Sequence, residues 1–132
     1  MKAFIGITVI ACLLSTSAIA QSTTPTRIHF LNLIVGINTP EVKTTLNPDK
    51  SILIKARTWV TIETVGDSLG LLIDGKPYFV HFAPNKQYYF VLNSSYTSRA
   101  VISEKTEQEF MLTASIDNVK GPEVYSLGKV PN

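Results

Sequence analysis

The chain has one cysteine, one tryptophan and two histidines among 132 residues, and each scarcity removes a class of chemistry. A lone Cys12 can form neither an intramolecular disulfide nor a thiolate metal cluster. His29 and His81 lie far apart and belong to no HxH or HxxxH pair. The spacing that brings two imidazoles to one zinc ion is therefore missing. No GxSxG elbow, SxxK pair or phosphate-binding loop occurs, so the common sequence signatures of nucleophilic hydrolases and nucleotide binders are absent. Charge is sparse as well. Twelve Lys and Arg against ten Asp and Glu leave a net +2 with scattered signs, which is no electrostatic footprint for nucleic acid. These residues imply no cofactor, no metal and no catalytic group.

The one long apolar run stands at the start, in MKAFIGITVIACLLSTSAIAQ. Lys2 supplies a positive first region, residues 3–14 an apolar segment, and Ala18-Ile19-Ala20 a small-residue cleavage signal before Gln21. That order is a secretory signal peptide, too short for a membrane-spanning helix. Cleavage after Ala20 sends the product to a periplasm or outside the cell. The alternative is a lipoprotein anchored at Cys12 through Val9-Ile10-Ala11-Cys12, although Leu13-Leu14 follow where a polar tether is usual. Cleavage leaves roughly 110 residues, enough for one domain with a real core. No later run is long enough for a bilayer, so no transmembrane segment is expected in the mature chain. The plan is a signal peptide at 1–20, a flexible leader at 21–26, one β-domain at 27–128 and a tail at 129–132.

Within that domain the periodicity is that of strands. RIHFLNLIVGI, residues 27–37, is rich in β-branched and aromatic residues. Asn38, Pro40, Asn47, Pro48 and Asp49 punctuate turns around a short edge strand at 42–46. SILIKARTWVTIETV, residues 51–65, alternates throughout; at roughly 3.3 Å per residue it is too long for a small domain and must break near Ala56 to Thr58. Where it breaks decides whether Trp59 faces solvent beside Arg57 and Thr61 or fills the core. Further strands are expected at 99–103 and, as a last edge strand, at 123–127. TEQEFMLTASI, residues 106–116, fits a strand by alternation. It also fits a short helix by its Thr106–Glu109 capping box, with Gly121-Pro122 as the stop, and the helix is preferred.

Residues 71–93 hold two turn signals. Asp74-Gly75 suits a two-residue hairpin turn, with Pro77 marking an edge position. Pro84-Asn85-Lys86 suits a three-residue turn that would pair Phe82 with Tyr88, Val80 with Phe90 and Tyr78 with Leu92. Those six make a core layer. The same pairing places Phe79, His81, Tyr89 and Val91 together on the other face.

Ile73-Asp74-Gly75-Lys76, Pro84-Asn85-Lys86 and Tyr88-Tyr89-Phe90 follow one another as in PEGA-type envelope domains and related small bacterial secreted β-sandwich families. Over roughly residues 59–112 the chain resembles these, with Asn85 where a glycine is usual. The resemblance implies an immunoglobulin-like sandwich in the cell envelope and no catalytic activity. Turn spacing and alternation point to a single mainly-β sandwich of about seven or eight short strands with one short C-terminal helix.

The candidate contact residues are Trp59 and Arg57, as an indole flanked by charge, with His81 and Tyr89 from the second aromatic face. Glu104, Glu107 and Glu109 lack the Asp, Asn and Gly of a calcium loop and are expected to begin a solvated helix. The expected function is a non-catalytic module of the bacterial envelope that contacts protein or glycan. The alternatives are a subunit of a surface assembly joined by edge-strand addition, and a hydrolase whose two carboxylates meet only in space. Oligomeric state and partner are not readable from the residues.

Overall fold

The computed structural model describes residues 24–35, 41–44, 47–73, 75–95 and 100–127. In chain order its elements are β1 (Thr26–Asn32), β2 (Glu41–Thr44), β3 (Asn47–Leu53), β4 (Thr58–Thr64), β5 (Ser68–Ile73), β6 (Lys76–His81), β7 (Gln87–Ser94), β8 (Ala100–Lys105), α1 (Glu107–Ile116) and β9 (Lys120–Leu127). The fold is mainly β, in two sheets. A five-stranded sheet runs β8-β7-β1-β4-β9 and a four-stranded sheet runs β3-β2-β5-β6. The signal-peptide region, Asn38, Pro40, Asp74, Arg99 and the tail lie outside the described residues.

Alternation puts one face of each sheet into a common core. Ile28 and Phe30 of β1, Val60 and Ile62 of β4, and Phe90 and Leu92 of β7 meet Ile52 of β3 and Leu69, Leu71 and Ile73 of β5. Buried aliphatic and aromatic side chains contribute roughly 1.5–3 kcal/mol each, so this cluster supplies most of the drive to fold. The opposite face of the five-stranded sheet carries a second, smaller cluster of Leu31, Tyr89, Val91, Phe110 and Ala114. Phe110 and Ala114 are the two buried residues of α1, one helical turn apart, so the helix lies on the outer face of that sheet.

The helix begins at a complete capping box. The Thr106 side chain accepts from the Glu109 N–H, and the Glu109 carboxylate accepts from the Thr106 N–H. It ends in a Schellman motif: the Val119 N–H donates to Ala114 O at 3.0 Å, the Asn118 N–H to Ser115 O at 3.2 Å, and Asn118 takes φ +50°. The stop therefore comes before Gly121-Pro122, which belong to β9 instead.

Several sequence expectations hold and several do not. The run at 51–65 breaks between Leu53 and Thr58, and its halves join different sheets. Ile73 pairs with Lys76 across the two-residue turn, and Pro77 sits on edge strand β6. β9 is an edge strand and pairs parallel with β4. By contrast, β2 is interior, between β3 and β5, and Asn47, Pro48 and Asp49 begin β3 rather than lying in a turn. β1 stops at Asn32 because its Oδ1 accepts the Ile34 N–H at 2.9 Å, an Asx-type turn. Thr26, assigned to the leader, is buried and opens β1.

The largest correction concerns residues 76–94. The turn at Pro84-Asn85 exists, but β6 pairs with β5 while β7 pairs with β1 and β8. The turn crosses from one sheet to the other, so Phe82, Phe90 and Leu92 are buried in the expected core layer without pairing across a hairpin. Both solutions bury the same alternate residues, and alternation cannot distinguish them. The first sheet is also mixed: β1·β7 and β4·β9 are parallel, unlike the antiparallel sheets of an immunoglobulin domain. The strand count is nine among the described residues.

Candidate functional site

The helix-side face of the first sheet is built around His29. Its ring stacks on Tyr89 with centroids 4.7 Å apart and planes 13° apart, and meets Trp59 edge-on at 6.0 Å. Phe110 comes down from α1 to within 5.2 Å of Trp59 and 5.3 Å of Tyr89. The register explains the grouping, since His29 lies opposite Tyr89 on one side and Thr61 on the other, and Leu31 lies opposite Trp59.

Both His29 nitrogens are engaged. Nδ1 lies 2.8 Å from Thr61 Oγ1 and accepts a long 3.4 Å bond from the Trp59 indole N–H. That assigns the proton to Nε2, which donates to Gln87 Oε1 at 3.3 Å, and the same oxygen accepts from the Tyr89 hydroxyl at 3.1 Å. Burial holds the imidazole pKa below its ordinary value. The Gln87 hydrogen bond opposes this, Arg27 adds to it, and Glu107 opposes it. Burial and then the Glu107 carboxylate push the Tyr89 hydroxyl up. This is a neutral, satisfied core histidine rather than a base aimed at solvent.

Trp59 sits at the edge of this cluster, half-buried. Beyond it a pocket of about 210 Å³ opens, lined by Arg57, Thr58, Trp59, Asn118, Lys120 and Glu123, with Gly121 completing the wall. Three local devices make it. Arg57 takes φ +54° in the turn after β3, a left-handed conformation that costs a non-glycine residue about 1–2 kcal/mol. Its N–H donates to Asn32 O at 2.7 Å, the Asn32 side chain donates to Ile54 O at 2.7 Å, and the Thr58 hydroxyl donates to Lys55 O at 2.6 Å. Those bonds hold the turn in place against the strain. Asn118 is the left-handed residue after α1. Opposite Trp59, β9 bulges: Thr58 pairs with Lys120 and Val60 with Glu123, so Gly121 and Pro122 face one residue.

Of the four sequence candidates, the structure brings Arg57 and Trp59 together on this pocket. Tyr89 is buried beneath Phe110, so it supports the cluster and offers no surface ring. His81 is exposed on β6 of the other sheet, away from the rest, because β6 and β7 part company at Pro84-Asn85. Sequence reasoning missed Asn118, Lys120 and Glu123. Their only signal is Gly121-Pro122, which marks a strand bulge as readily as a helix stop. Among the described residues, no group of three or more His, Cys, Asp or Glu is placed to hold a metal ion, and no helix is long and apolar enough to cross a membrane. Compared with family models, curated proteins and solved structures, the chain matches none.

Proposed function

We propose that this chain is an exported, non-catalytic binding module of the bacterial cell envelope, contacting glycan or protein through Arg57 and Trp59. Export rests on the signal-peptide pattern at 1–20 and envelope placement on the PEGA-type resemblance. In this reading the two sheets form a sandwich whose mixed first sheet carries the site and the helix that backs it.

The observation that carries the reading is the indole-walled pocket, in which a half-buried aromatic meets charged side chains with no ion-pair partner among the described residues. An aromatic body bordered by polar groups is what contact sites use. The inward-turned His29 supports a non-catalytic role, since its nitrogens are committed to Thr61 and Gln87. Trp59 is the only tryptophan, so the emission has a single source on the pocket wall. Titrating the purified protein with envelope oligosaccharides and peptides should give a saturable change in that emission. A flat response across both panels would refute the module.

A second reading, assembly by strand addition, is favoured by β6. It is an edge strand with exposed Phe79 and His81, and only Pro77 on it lacks an N–H to pair. The N-terminal residues are poor candidates for such an edge, because β1 is interior, between β7 and β4. Concentration-dependent oligomers abolished by Phe79→Lys would support assembly through β6.

A further inference from the structure

We infer that the pocket beside Trp59 receives one carboxylate-bearing sugar ring, a uronic acid unit of a longer glycan, with its carboxylate on Arg57 and its C–H face on the indole. This rests on the reading of the chain as a binding module and names the ligand class of that same site.

Size sets the first limit. At about 210 Å³ the pocket lies below the roughly 300–1,000 Å³ that encloses a drug-sized ligand. It takes one ring, and the remainder of a bound chain stays in solvent.

Charge sets the second. Arg57 and Lys120 have no ion-pair partner among the described residues, whereas one Glu123 oxygen already accepts the Tyr125 hydroxyl at 3.0 Å. Two cations against one carboxylate favour an anion. A guanidinium is the group whose planar fork matches a carboxylate. Arginine is also an unfavourable residue at φ +54°, where a glycine would sit without strain, so what it adds at this turn is its side chain.

The remaining lining selects among anions. Inorganic phosphate or sulfate would satisfy Arg57 and Lys120 but make no use of the indole. A peptide C-terminus would use Arg57 and the indole, yet bring few donors to Glu123. A uronate ring has a carboxylate, an apolar C–H face and several hydroxyls, which complement Arg57, Trp59, and Asn118 with Glu123 in turn.

The test is Trp59 fluorescence of the purified protein titrated with oligomers of galacturonate, glucuronate, mannuronate and guluronate. Each is run beside its neutral hexose counterpart, with a peptide ending in a free leucine carboxylate as a third arm. A uronate oligomer should bind saturably, at least tenfold tighter than its neutral counterpart, and weaken as salt is raised because the pocket is open. Arg57→Gly should lose about 10- to 100-fold in affinity while its melting temperature holds or rises. Gly121→Leu gives a steric control, because a Cβ at Gly121 meets no atom within 4 Å; it should keep the fold and obstruct the pocket. Equal binding of the neutral counterparts would overturn the acidic class and leave the module standing. Binding of the peptide alone would overturn the glycan class. Silence in all three arms, with native Trp59 emission, would overturn the uronate ligand, while the module falls only if the wider oligosaccharide and peptide panels are silent too.

Discussion

Replacing Phe110 with alanine tests whether one side chain fastens the helix over the indole. Phe110 is inaccessible to solvent, and α1 buries only it and Ala114. A phenylalanine ring buries about 150–250 Å², which at about 25 cal/mol per Å² is about 4–6 kcal/mol. That figure is an upper bound, because the unfolded chain already hides part of the ring. Large-to-small changes of this kind cost about 3–5 kcal/mol. A ten-residue helix is shorter than the roughly 12–15 residues that are marginal in isolation, so without its anchor α1 should detach before the sheets unfold. The expected outcome in a urea titration is a loss of about 3 kcal/mol or more, with Trp59 emission already red-shifted in the native baseline, since the two rings lie 5.2 Å apart. Phe30→Ala is the control. Phe30 is equally inaccessible but stacks on Phe90 in the main core cluster, so it should cost as much without moving the native emission. If Phe110→Ala cost less than about 1 kcal/mol, or left the emission unshifted, the account of the helix as a cover held by one ring would be wrong.

Three further outcomes follow from local chemistry. Thr106→Ala removes the cap and should cost about 1 kcal/mol in thermal or urea unfolding. Hydrogen bonds from the Thr106 backbone and hydroxyl hold the Glu109 carboxyl below its usual range. The capping contribution should therefore be complete above pH 4.5 and fade on acidification through the lowered pKa, which amide exchange in the first turn would reveal. The buried His29 has a lowered pKa, so the unfolded chain binds the extra proton first. Stability should be full above pH 6.5 and fall as the pH drops below it; His29→Gln should flatten that segment of a pH-stability curve, and an unchanged slope would refute the assignment. Asn85 takes φ +60°, so Asn85→Gly should be tolerated within a few tenths of a kcal/mol, whereas Asn85→Val should cost about 1–2 kcal/mol by thermal melting.

What the sequence made legible was what is local. Alternation set Ile52, Ile54, Ala56, Val60 and Ile62 on one face; Ala56 falls in the turn and is exposed, and the other four are buried. The Thr106–Glu109 pair marked the helix, and Asp74-Gly75 marked the hairpin. Pairing was not legible. A strand that leaves Pro84-Asn85 can return beside its predecessor or cross to the other sheet, and the buried face reads the same in either case. The parallel neighbours of β1 and β4 depend on contacts between segments about 60 residues apart, on which local periodicity has no purchase. His81 was misplaced for that reason. Tyr89 was misjudged for another: its face is apolar in sequence terms, but the element that covers it comes from residues 107–116.

The pocket illustrates how a site can arise where ordinary structural devices end together. The Arg57 turn is needed because a run too long for one sheet must change sheets. Asn118 is needed because α1 must stop and turn back. The β9 bulge lets an edge strand follow the twist of β4 past Trp59. Each solves a local problem of chain path, and none carries a binding motif. Yet together they leave the indole without a paired residue on its β9 side, at the edge of the cluster that the helix covers. Glycine would serve the turn at position 57 better than arginine, and a continuous ladder would cover Trp59 better than a bulge. The departures from the most stable local choice therefore coincide at one pocket, which is why the proposed contact site is put there.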